Sequence, residues 1–120
     1  MENCIFCKIV KGEIPSHKVY EDEEILAFRD IEPEAPTHVL IIPKIHIENL
    51  SQASEENKDL LGKILLVAKK ISESEKINDA FKLTINNGKF AGQIVMHMHF
   101  HLLGGWTKKE DVKSGLHLVK

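Results

Sequence analysis

The feature that most restricts this chain is His97-Met98-His99-Phe100-His101-Leu102-Leu103, where three histidines alternate with apolar residues. Alternation at every second position is the period of a β-strand, whose successive side chains point to opposite faces. The spacing predicts a strand with Ile94, Met96, Met98, Phe100 and Leu102 turned into a core. Val95, His97, His99, His101 and Leu103 then share the other face, and Gly104-Gly105 ends the strand. An unperturbed histidine titrates near ~6.5, so most of these imidazoles are neutral at neutral pH. A neutral imidazole is a nucleophile, a proton carrier and a metal ligand. A half-buried strand facing water and a His-x-His metal centre are the alternatives.

Composition narrows the field. A chain of 120 residues makes one domain, residues 1–120, able to bury about two-thirds of its unfolded surface. The net charge is −2 and no basic tract stands out, so nothing marks a dedicated nucleic-acid binder. No apolar run approaches the ~20 residues of a membrane span. Met1-Glu2-Asn3 leads directly into a structured-looking segment, with no signal peptide. With the Cys-x-x-Cys pair, this points to a reducing cytoplasm.

Along the chain, Cys4-Ile5-Phe6-Cys7-Lys8-Ile9-Val10 has helical spacing and stops at Lys11-Gly12. Cys4 and Cys7 sit one turn apart, as two small core residues, a redox pair or half of a zinc site. Further ligands are on offer at His17, His38, His46 and His97. His17–Tyr20 and Glu24–Asp30 read as strands joined by an acidic turn, and Thr37–Lys44 as a buried strand that Pro43 closes. His46 opens a short helix through Leu50. Ser54 caps a long helix from Glu55 to about Ser74, whose stripe of Leu60, Leu61, Ile64, Leu65, Val67, Ala68 and Ile71 serves packing. Phe81–Asn86 is a strand, and the polar turn Asn86–Gln93 leads back to the triad, with backbone N–H groups able to hold a phosphate. Asp30, at a strand end, is a turn or capping residue or an acceptor for a ribose diol.

His97–Leu103 resembles the histidine triad motif, His-φ-His-φ-His-φ-φ with φ apolar, and Pro36–Ile47 resembles the second signature of the same family. The match runs from about Cys4 to Gly105 and is to the branch of small nucleotide-binding histidine triad hydrolases. The resemblance implies an α+β domain, an antiparallel sheet of about five strands with one long and one short helix. It implies a homodimer with the long helix and neighbouring strand at the interface. It implies hydrolysis of purine nucleoside 5′-phosphoramidates or related nucleotidyl bonds through a nucleotidyl-histidine, releasing the nucleoside monophosphate. Dinucleoside polyphosphate hydrolysis, nucleotide-binding regulation with incidental turnover and a metal-dependent hydrolase using His97, His99 and His101 are the rivals.

Residue by residue, the resemblance makes His99 the nucleophile, with its other ring nitrogen donating to the His97 carbonyl. His101 and Asn86 hold phosphate oxygens, and His38 is the fourth active-site histidine. Asp30 holds the ribose, and Ile5, Phe6, Ile9, Ile14, Phe28, Ile31 and Leu40 form the base pocket. Gly92 and Gln93 border the substrate. Cys4, Cys7, His46 and His97 fit a structural zinc site of distant relatives, one ion per chain. The chain departs from the branch in three places: Arg29 replaces a histidine of some relatives, Ile94 replaces a serine near the leaving group, and the tail from Trp106 to Lys120 lacks an aromatic, Pro-rich ending.

Overall fold

A computed structural model describes residues 3–112. Helix α1 (Ile5–Val10) starts at Cys4, whose Sγ accepts a hydrogen bond from the Cys7 amide. It ends in a Schellman turn: the Glu13 amide bonds the Lys8 carbonyl, and Gly12 supplies the positive φ, +78°, that such a turn requires. Strands β1 (Lys18–Glu21), β2 (Ile25–Arg29) and β3 (Thr37–Pro43) follow. Then come α2 (Lys58–Ser74), β4 (Phe81–Ile85) and β5 (Phe100–Gly104). The strands form one antiparallel sheet in the order β1-β2-β3-β5-β4. The fold is α+β, as the sequence predicts. No helix among the described residues is long and apolar enough to cross a membrane.

The sheet has two different faces, set by alternation along each strand. Ile25, Ala27, Val39, Ile41, Phe100 and Leu102 pack against Leu60, Ile64, Val67, Ala68 and Ile71 of α2 in an aliphatic core. Leu26, Phe28, Leu40 and Ile42 pack on the opposite side, against Phe6 and Ile9 of α1. Cross-strand pairs Leu40–His101 and His38–Leu103 put the imidazoles of His38 and His101 on this second face. Ser54 caps the helical segment through a capping box with Asn57, and α2 follows a short 3₁₀ turn at Glu55–Asn57. On α2, Leu65 and Leu66 face solvent, and Phe81 is exposed on β4, which forms one edge of the sheet.

Two expected elements differ from their expected form. Residues 46–48 form no helix, and a 3₁₀ turn at Leu50–Gln52 takes its place. The triad strand begins at Phe100, not Ile94. The reason is Pro43. The β3–β5 register stops at Ile41–Phe100, and two residues further it would set Pro43 opposite Met98. Proline has no N–H to donate there, and the Pro43 carbonyl takes the His97 ring instead. Met98 turns its amide to the Ile47 carbonyl. Met98, Phe100 and Leu102 reach the core as expected, but Ile94 is 65% exposed and Met96 37%.

The β1–β2 turn is closed by Asp22. Its Oδ1 accepts from the Glu24 and Ile25 amides, and its Oδ2 from the Tyr20 hydroxyl at 2.6 Å. Lys63 of α2 lies 3.3 Å away. Burial pushes this carboxyl up, but those four donors together hold it well below the ordinary carboxylate range. A depressed carboxyl contributes stability in full above its unfolded pKa and loses it as pH falls through the folded value. Asp22→Asn keeps the amide acceptor and removes the charge. It should destabilise the protein at pH 7 by about 1–2 kcal/mol. The gap from the parent should narrow as pH falls below about 4. Urea melts of both proteins across that range check it, and a pH-independent gap refutes it.

Candidate active site

The three triad histidines are each buried to 2% exposure or less, although only His101 lies on a strand. Their hydrogen bonds fix their tautomers. His97 donates from Nε2 to the Pro43 carbonyl at 2.8 Å, leaving its Nδ1 lone pair toward Cys4 Sγ at 3.3 Å and Cys7 Sγ at 3.5 Å. His99 donates from Nδ1 to the His97 carbonyl at 2.7 Å. Its Nε2 therefore carries a bare lone pair, buried and without a hydrogen-bond partner among the described residues. His38 Nδ1 accepts from the Glu34 amide at 3.0 Å, so its Nε2 holds the proton and donates to His101 Nδ1 at 2.9 Å. The hydrogen of His101 is thereby left on Nε2.

Burial also keeps the rings neutral. It pushes His97 down to about 4, against the pull of the Pro43 carbonyl and with help from His46 and His99. Burial likewise lowers His99, opposed by the His97 carbonyl and the Asp30 carboxylate.

His99 opens on a cleft of about 1280 Å³. Ile5, Phe6, Ile9, Ile14, Phe28, Ile31 and Leu40 all line it, together with Asp30. Phe6 stands edge-on to His99, ring centroids 5.1 Å apart, and to Phe28 at 5.5 Å. Ile31 is 94% exposed and so forms the rim. Asp30 Oδ1 accepts from the Glu32 amide at 2.8 Å. Its Oδ2 is buried, lies 3.4 Å from His38 Nε2 and lacks a hydrogen-bond partner among the described residues. Arg29 forms a two-pronged ion pair with Glu75 at the end of α2, at 2.9 and 3.0 Å.

Other expected contacts fall differently. Asn86, Gly92 and Gln93 are not among the residues lining the cleft. Asn86 Nδ2 donates to the Gly92 carbonyl, and the Gly88 amide to Gln93 Oε1. Gln93 Nε2 donates to the carbonyls of Glu48 and Val95. The amides of Ala91, Gly92 and Gln93 bond carbonyls of the same loop. The turn closes on itself because its amides find partners three to five residues back. Ile94, Val95 and the Ser16-His17 pair do line the cleft. His17 stands there and not at the thiols. Glu34 acts through its amide, which carries no side-chain signal a sequence could show. The ending beyond Val112 lies outside the described residues.

Next to the cleft, the thiols of Cys4 and Cys7 meet the rings of His46 and His97, all four donor atoms within 4.8 Å of one another. His46 Nδ1 is 3.3 Å from Cys7 Sγ. Around tetrahedral zinc, neighbouring sulfur and nitrogen donors stand about 3.3–3.8 Å apart, so the set fits that ion. Burial, then the Cys4 sulfur, pushes the Cys7 thiol up to about 11; a bound cation replaces that proton. His97, His99 and His101 do not converge on one point among the described residues. Asp30, His38 and His101 do approach each other, but a hydrogen bond already closes the His38–His101 pair.

Comparison with known proteins places the chain in a family. The HIT domain model matches residues 11–108. The purine nucleoside phosphoramidase of Escherichia coli (strain K12) is 50% identical over 105 residues, covering 87% of this chain and 88% of that one. The 14 kDa zinc-binding protein of Zea mays is 52% identical over 103 residues, covering 84% and 80%. The crystal structure of a HIT family hydrolase from Legionella pneumophila superposes with a TM-score of 0.85 at 49% identity, covering 88% and 95%. The chain belongs to the histidine triad, or HIT, family.

Proposed function

We propose that this protein hydrolyses purine nucleoside 5′-phosphoramidates, or related nucleotidyl bonds, through a nucleotidyl-histidine on His99. The observation that carries the reading is the bare, buried Nε2 lone pair of His99 at the floor of the cleft. Its Escherichia coli relative, a purine nucleoside phosphoramidase, supports the choice of bond. The base occupies the apolar part of the cleft, and the unsatisfied Oδ2 of Asp30 accepts from the ribose. His99 Nε2 attacks phosphorus, an N–P bond forms, and the bond to the leaving amine breaks with its electron pair going to that amine. The Nδ1–H remains on the His97 carbonyl, which stabilises the positive charge that develops on the ring. His101 Nε2–H faces a phosphate oxygen, and His38 holds it in that tautomer. Water then attacks the nucleotidyl-histidine, releasing the nucleoside monophosphate and restoring the lone pair. Ile94 lines the cleft and offers no hydroxyl to the leaving group.

His99→Ala should lower turnover more than a hundredfold, roughly 3 kcal/mol or more, while retaining nucleoside monophosphate binding. Turnover near the parent rate would refute the covalent mechanism, and a labelled nucleotidyl adduct trapped on the parent would support it. Comparing rates on a phosphoramidate and a dinucleoside polyphosphate assigns the preferred bond.

Asp30→Ala should weaken ribonucleotide binding by about 1.5–3 kcal/mol and leave 2′,3′-dideoxynucleotide binding little changed. Calorimetric titration with both ligands checks it; equal losses remove Asp30 from the sugar site.

We further infer one zinc per chain on Cys4, Cys7, His46 and His97. Four protein donors leave no open position, so the ion would brace α1 against the sheet. Zinc removal should lower the melting temperature and leave kcat largely intact in the folded protein. Metal analysis of chelator-free preparations comes first, and a stoichiometry near zero refutes the site.

A further inference from the structure

We propose that the metal cluster sets the affinity of the cleft for its nucleotide, so that the metal and the nucleotide bind cooperatively. The inference rests on the reading above, because it requires a nucleotide beside His99. It follows from one shared element. Helix α1 and its cap present Cys4 and Cys7 to the cluster, and the same turn presents Ile5, Phe6 and Ile9 to the cleft. The thiols and the cleft wall therefore move together.

Helix α1 has six residues. A helix that short does not hold itself in water, where about 12–15 residues are marginal. Its place is set by what it touches. Phe6 and Ile9 pack on Leu26, Phe28, Leu40 and Ile42. Its polar ties to the sheet side run through the thiols, Cys4 to His97 and Cys7 to His46, each at 3.3 Å. Thiol hydrogen bonds are weak, whereas metal coordination would replace them with bonds of fixed length. Without metal, α1 rests largely on apolar contacts that tolerate sliding. Ordering the wall then falls to the nucleotide and weakens its binding.

The floor of the site is tied differently. The His97 carbonyl that orients His99 belongs to a segment held by the Met98 amide on Ile47 and the His97 ring on Pro43, at 2.7 and 2.8 Å. Neither bond is made by a thiol, although Nδ1 of the same His97 ring faces both sulfurs. Metal loss should thus move the binding constant and KM, not kcat. Linkage requires the converse as well: nucleotide raises metal affinity by the same factor.

The test uses the full chain, stripped with chelator or loaded with zinc, and adenosine 5′-monophosphate as the probe. Calorimetry should show about tenfold tighter nucleotide binding to the zinc form, within the usual range of such couplings. Competition against a chromogenic chelator should show zinc affinity rising by the same factor when the nucleotide is saturating. Without nucleotide, zinc should slow hydrogen exchange at the Lys8, Lys11 and Glu13 amides more than at sheet amides. His46→Ala, at a residue outside the cleft lining, should bind zinc more weakly and nucleotide less tightly in zinc buffer. Equal nucleotide affinities in the two forms overturn the inference and leave the hydrolase reading standing. So does unchanged zinc affinity with nucleotide, the absence of zinc binding, or exchange protection spread evenly over the fold. Failure of both forms to bind nucleotide defeats the hydrolase reading itself.

Discussion

The hydrogen bond from His99 Nδ1 to the His97 carbonyl, 2.7 Å long, is the contact on which the site depends. An imidazole has two nitrogens and, when neutral, one proton. Fixing the proton on Nδ1 bares Nε2, and burial keeps the ring from taking a second. The same logic runs through the neighbouring pair. The Glu34 amide fills His38 Nδ1, His38 Nε2–H fills His101 Nδ1, and the remaining hydrogen of His101 points onward. Two main-chain groups, one carbonyl and one amide, thus dictate which atoms of three rings accept and which donate.

Such a face is costly to build. A buried polar atom without a partner costs about 1–3 kcal/mol, and His99 Nε2 and Asp30 Oδ2 are two of them. The opposite face of the same sheet offsets this. There α2 buries an aliphatic core with Ile25, Ala27, Val39, Ile41, Ile64 and Leu102 at or near zero exposure. The division comes from strand alternation, so stability and chemistry are kept on opposite sides of one set of strands.

That division was legible in the sequence because a period of two needs no knowledge of partners. Strand positions and α2 followed from apolar spacing and the Ser54 cap. The cleft residues Ile5, Phe6, Ile9 and Phe28 came from the resemblance, since scattered apolar residues do not announce a shared pocket. What escaped was set by pairing. Alternation persists through residues 94–99 after the ladder has ended, so the strand looked six residues too long. Pro43 carried the missing information, but only the register, carried two residues past Ile41–Phe100, would set it opposite Met98. The loop clamp made by the Gln93 amide to Glu48 and Val95 was not legible either, because polar residues in glycine-rich turns are ambiguous.

The site is therefore made of two parts held by different contacts. The floor is main chain and strand, tied by ladder bonds and by carbonyls that imidazoles occupy. Part of the wall is the short helix α1, which brings Ile5, Phe6 and Ile9 to the cleft. The wall is not the source of the alignment of His99, which comes from the His97 carbonyl. Placing that alignment in the His97 carbonyl and the thiol partner in the His97 side chain lets one residue serve both parts. The backbone carbonyl orients His99, and the ring of the same residue meets the thiols of the helix.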